Sequence, residues 1–150
     1  LPGRGVVEMR GDELVFGYRR SCFGTNGGVV LYADMKLTPG DTGMIRREME
    51  ELIRRRREKQ PLEYPSAGST FKRPEGHYAA ALIEQCGLKG VAVGGAMVSP
   101  KHAGFVINTG GATCADVLAL MDQVRETVYR ETGVELEPEV RILRGPGNKQ

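Results

Sequence analysis

The sequence predicts an α+β fold, and three observations carry that reading. Apolar and polar residues alternate between positions 29 and 37, as in a strand with one buried face. Apolar residues recur at helical spacing from Ile45 to Ile53 and again from Val117 to Val128. Strand pairs and helices are interspersed without the regular β-α-β alternation of a doubly wound parallel sheet.

Taken in order, residues 13–18 and 29–37 read as strands joined through the glycine-rich turn at 24–28. In the second strand Leu31, Ala33, Met35 and Leu37 share one face. After Pro39-Gly40-Asp41, a helix is expected from about 42 to 60, where Pro61 stops the pattern. Its outer face offers Glu50 to Arg54 and Glu51 to Arg55 at i, i+4. Residues 61–77 have neither period and contain three prolines and two glycines, so they read as a long irregular loop. A short helix follows, with Tyr78, Leu82, Ile83 and Cys86 on one side and Gly87 as its left-handed C-terminal residue.

Residues 91–98 and 104–108 read as buried strands joined by the turn Ser99-Pro100-Lys101-His102. Thr113 and Asp116 form a capping-box start for a helix that runs to about Glu131 and ends at Gly133. Residues 140–143 are expected to be a final strand, and 145–150 a frayed tail.

Composition narrows the function classes. With 150 residues, 40% hydrophobic and 27% charged, the chain suits a globular domain and is too apolar to be wholly disordered. No apolar stretch approaches the ~20 residues of a spanning helix. Three widely spaced cysteines, Cys22, Cys86 and Cys114, suit free thiols in a reducing compartment, which makes the cytoplasm the expected location. Leu1 stands where an initiator Met would, so the chain reads as a piece of a longer protein. A net charge of +2 does not by itself imply nucleic acid.

The usual phosphate-loop and nucleophile-elbow motifs are absent, and only His77 and His102 are available as histidine ligands, far apart and without a CxxC, which argues against a metal site. The segment from Pro65 to Pro74 is the most informative. Gly68 clears space beside Ser69, so a ligand can reach that hydroxyl, and Lys72 and Arg73 add positive charge. A Ser/Thr-rich turn that satisfies its own backbone fits these residues as well. The run Tyr18-Arg19-Arg20-Ser21 is open to the same two readings, anion site or polar strand end. Glu135, Glu137 and Glu139 alternate around Pro138, which either aims Glu139 inward or leaves an exposed acidic edge. Arg54 to Arg57 suggest a noncatalytic anion or RNA-binding module, but interleaved glutamates and the lack of nearby aromatic residues favour a solvated, ion-paired helix.

Five ordered blocks give these residues a context. Phe16 to Ser21, Gln60 to Pro74, Leu82 to Gly90, Gly94 to Asn108 and Gly133 to Val140 closely resemble the MurB family of UDP-N-acetylenolpyruvoylglucosamine reductases, over residues 13–143. The resemblance implies an FAD- and NADPH-dependent oxidoreductase. Members pass a hydride to the enolpyruvyl double bond of UDP-N-acetylglucosamine enolpyruvate, making UDP-N-acetylmuramate for peptidoglycan in the bacterial cytoplasm. It implies Arg19, Ser69 and Glu139 as catalytic residues, with Ser69 as proton donor, and Tyr18, Lys72, Arg73 and His102 as substrate contacts, Lys72 at the diphosphate.

The implied layout has residues 1–38 as the C-terminal end of an FAD-binding domain, 39–145 as the substrate-binding domain and 146–150 as a tail. The MurB-type substrate domain is thus preceded by the last strands of the FAD domain. Most of the FAD site would lie in an N-terminal domain missing from this chain, leaving the fragment inactive by itself. The short interval from Gly90 to Gly104 lacks the tyrosine-bearing loop of one family subtype, so the chain resembles the other. Neither a membrane nor a nucleic-acid partner is expected.

Overall fold

A computed structural model describes residues 1, 3–17 and 20–143; Tyr18, Arg19 and the expected tail lie outside the described residues. The chain divides into two units, Leu1–Asp41 and Thr42–Gln150.

In the first unit neither expected strand forms among the described residues. Gly11–Leu14 is a 3₁₀ turn, with the Glu13 carboxylate accepting from the Arg10 amide at 2.6 Å. Gly17 and Arg20 exchange backbone hydrogen bonds of 3.0 and 3.2 Å, and α1 (Phe23–Asn26) is a single turn closed by Gly27 at φ 66°. Residues 29–37 form no ladder, and Leu31, Tyr32, Met35 and Leu37 are each at least 68% exposed. Alternation shows which face a strand would bury, but a neighbouring strand must satisfy its amides and carbonyls.

The second unit opens with α2 (Thr42–Lys59), as the helical spacing predicts, although none of its residues is buried. Arg54 turns to Glu51 and Glu58 rather than to Glu50, and Arg55 also reaches Glu51. The loop expected at 61–77 contains a strand, β1 (Ser66–Ser69). Sequence periodicity misses it because it is short and bulged: its register shifts between Ser66 and Ser69, around Gly68 at φ 81°. Helix α3 (Ala79–Gln85) follows, with Cys86 as its cap and Gly87 at φ 70°.

The single strand expected at 91–98 is a hairpin of β2 (Ala92–Val93) and β3 (Ala96–Val98), folded at Gly94-Gly95 with Val93 opposite Ala96. Two glycines between apolar residues are a turn signal as well as a break in an apolar run. β4 (Phe105–Asn108) completes an antiparallel sheet of order β1-β4-β3-β2. Helix α4 (Cys114–Thr132) starts on the Thr113/Asp116 capping box and ends at Gly133, φ 71°. It packs on β2, β3 and α3, and the core between them holds Ile83, Val98, Leu120, Val124, Val128 and Leu136, each 1% exposed or less.

The expected strand at 140–143 does not form. Residues 137–139 pair instead with 70–72 around a bridge between Phe71 and Pro138. To continue, that ladder would have to run along β1 past Gly68, whose left-handed φ takes the backbone out of the extended conformation.

Candidate functional site

The segment 66–73 gathers most of the residues singled out by sequence. Ser69 ends β1 opposite Phe105 on β4, and its side chain lies on the exposed side of the transition into buried Thr70. Thr70 fixes this corner through three bonds. Its amide donates to Gly104 O at 2.9 Å, its hydroxyl accepts from Val106 N at 3.0 Å, and its carbonyl accepts from Glu139 N at 2.9 Å. The last bond brings Glu139 beside the residue that follows Ser69. Among the described residues the Ser69 hydroxyl makes no hydrogen bond, which leaves its proton available to a ligand.

Lys72 lies directly across from Glu137. Its amide donates to Glu137 O at 2.8 Å and its ammonium bonds the Glu137 carboxylate. Arg73 stands over the Tyr78 ring, 3.9 Å from the ring centre, with its Nε donating to His77 O at 3.3 Å. Its charge thus meets a carbonyl and an aromatic face.

His102 belongs to a turn built on buried Ser99, whose hydroxyl accepts from the amides of Lys101 and His102 at 3.2 and 3.3 Å. The imidazole packs edge-on against Phe105, with ring centres 5.0 Å apart. Nδ1 accepts from Gly104 N at 3.1 Å, which leaves Nε2 as the proton-bearing nitrogen of the neutral ring. Next to it Lys101 pairs with Glu63 at 3.2 Å. That carboxyl sits below its ordinary pKa, chiefly through a bond from its own amide and then through Lys101.

Ser69, Lys72, Arg73, His102 and Glu139 all lie in the second unit, and the corner at Thr70 joins Ser69 to Glu139. Two residues were not singled out as site residues by sequence. Glu137 was legible only as part of an alternating acidic run, and Tyr78 only as an apolar position on a helix.

The described residues do not build a dinucleotide cradle. Gly110-Gly111 form a glycine-rich loop from β4 into α4, in which three of the amides are taken by side chains of the chain itself. Asn108 Oδ1 accepts from Gly110 N and Ala112 N at 2.9 and 3.1 Å, and the Asp116 carboxylate accepts from Thr113 N at 2.9 Å. Of the α2 arginines, Arg54 and Arg55 bond glutamates and Arg56 bonds Gln60. Among the described residues no group of three His, Cys, Asp or Glu side chains is placed to hold a metal ion, and no helix is long and apolar enough to cross a membrane.

Residues 60–143 match the family model described as UDP-N-acetylenolpyruvoylglucosamine reductase, C-terminal domain. A UDP-N-acetylenolpyruvoylglucosamine reductase from Clostridium novyi is 54% identical over 138 residues, covering 92% of this chain and 45% of that protein. One from Clostridium beijerinckii is 56% identical over 131 residues, covering 87% of this chain and 43% of that protein. The crystal structure of UDP-N-acetylenolpyruvylglucosamine reductase (MurB) from Thermus caldophilus superposes with a TM-score of 0.68 at 41% identity, covering 85% of this chain and 46% of that one. The chain therefore spans less than half the length of these relatives.

Proposed function

The chain belongs to the UDP-N-acetylenolpyruvoylglucosamine reductase family, within which it matches the C-terminal domain, and from this premise we propose that it is the substrate-side part of such a reductase. In this reading residues 39–145 bind UDP-N-acetylglucosamine enolpyruvate, and residues 1–38 end an FAD-binding domain whose larger part is a separate stretch of a longer cytoplasmic protein. The observation that supports it best is the 2.9 Å bond from Glu139 N to Thr70 O, which brings two residues of the proposed mechanism to one corner from distant parts of the sequence.

Held outside this chain, FAD reduced by NADPH would supply the hydride for the substrate's double bond. This chain's own residues manage the charge and the proton. Negative charge delocalises into the substrate carboxylate, where the Arg19 cation and a hydrogen bond donated by the Glu139 carboxyl stabilise it. The neighbouring carbon takes its proton from Ser69 Oγ, a weak acid that releases it only as the charge forms beside it and away from bulk water. Arg73 and His102 are proposed as contacts for the UDP-sugar, as is Tyr18, which with Arg19 enters on the family resemblance alone.

The test is Ser69→Ala in the FAD-loaded enzyme containing this chain, with the half-reactions followed separately by rapid mixing. Reduction of the flavin by NADPH should be unchanged, while reoxidation by substrate should slow by ~10²–10⁴-fold. Equal slowing of both steps would remove Ser69 from the role of proton donor.

A further inference from the structure

We propose that Lys72 and Glu137 are a positioning pair that holds Ser69 and Glu139 in register, so that the Lys72 charge serves the protein itself rather than the substrate diphosphate. The inference rests on the reductase reading and deepens it.

Little backbone pairing joins the two segments. Ser69 belongs to the sheet through β4, whereas Glu139 follows α4 on a stretch without regular structure. Their ladder is one bridge long. Phe71 faces Pro138 at its centre, Glu139 N bonds Thr70 O at one end, and Lys72 N bonds Glu137 O at the other. Phe71 and Pro138 are thus a non-hydrogen-bonded pair, whose own backbone groups point away from each other. Between buried Leu136 and core-packed Val140, one backbone bond on each side of the bridge leaves residues 137–139 able to tilt about it. The side-chain pair adds a third tie at the end away from Glu139, and so fixes that tilt.

Electrostatics favour the same assignment. The two side chains are 45% and 69% exposed, and an ion pair so placed contributes little to stability. Its loss should leave the fold intact and loosen only the register. With the Glu137 carboxylate on its ammonium, Lys72 presents little net charge to an anion. Arg73, set against a carbonyl and a ring, keeps its charge for that purpose.

The test uses the FAD-loaded reductase containing this chain, with Lys72→Met, Glu137→Gln, the double variant and the exchanged pair Lys72→Glu/Glu137→Lys. Displacements of about 1 Å at reacting groups can slow chemistry by ~10²-fold. An exposed pair worth up to ~1 kcal/mol caps that effect, so each single variant is expected to slow substrate-driven flavin reoxidation by about two- to fivefold. The Kd for substrate on the oxidised enzyme should stay within about threefold, since binding contacts are retained. The double variant should be no slower than the worse single one, and the exchanged pair should recover most of the rate.

A raised Kd in Lys72→Met with Glu137→Gln unaffected would overturn the proposal and return Lys72 to the diphosphate. Failure of the exchanged pair to recover would overturn it too. Wild-type enzyme that does not reduce the substrate would sink the reductase reading and this inference with it. Active wild-type enzyme with indifferent variants would sink this inference alone.

Discussion

Thr113 and Asp116 cap α4 reciprocally: Asp116 Oδ2 accepts from Thr113 N at 2.9 Å, and Thr113 Oγ1 accepts from Asp116 N at 3.1 Å. The Thr113 amide first, then the Thr113 hydroxyl and the Gly95 amide, hold the Asp116 carboxyl below its ordinary pKa of 3.8. A carboxylate depressed on folding contributes stability that is fully present above its unfolded value and is lost as pH falls through the folded one. Urea unfolding midpoints should therefore drop on acidification below about 3.8, more steeply in wild type than in Asp116→Asn. Thr113→Ala should lose about 1 kcal/mol at neutral pH.

Gly95 is fixed by space rather than by torsion. A Cβ there would lie 2.4 Å from Ala112 N and 2.5 Å from Gly110 O, both backbone atoms that a rotamer change cannot move. Gly95→Ala should destabilise the second unit by about 2 kcal/mol or more. A denaturation midpoint equal to wild type would show that the 108–112 loop yields readily.

Leu136 is fully buried, and its carbonyl accepts from Arg125 Nε at 3.1 Å. Leu136→Ala should cost about 2–5 kcal/mol. Because Leu136 anchors the stretch leading to Glu139, amide exchange at Glu139 should accelerate at least as much as exchange in α3. Unchanged protection at Glu139 would mean that the ladder at Phe71 and Pro138 holds without this anchor.

The Glu51 carboxylate, gripped first by Arg54 and then by Arg55, is held at about 2. Carbon-detected NMR titration should find that midpoint at low ionic strength. It should return toward 4.5 in Arg54→Gln/Arg55→Gln, and part of the way in molar salt, because the pair is exposed to screening.

How much of this was legible in the sequence follows from which interactions are local. α2, α3 and α4 were legible because spacing, caps and a terminal glycine all act within a few residues, as Thr113, Asp116 and Gly133 illustrate. β1 was not, because four residues interrupted by Gly68 carry no period and owe their conformation to β4. Residues 29–37 carried a strand period, yet alternation cannot supply the neighbour that makes a strand. The resemblance drew Ser69 and Glu139 from sequence, and their shared corner came from the fold. The partnership of Lys72 with Glu137 had no local signature, since both charges read equally well as solvated.

The bridge between Phe71 and Pro138 also bears on synthesis. It closes a loop that encloses α3, the hairpin, β4 and α4, and such non-local closures form only after the elements inside them exist. A nascent chain can fold its helices and β4 while Glu139 is still inside the ribosome. The corner that joins Ser69 to Glu139 is therefore among the last parts assembled, and stalled or prematurely terminated products would be folded in their core yet lack it.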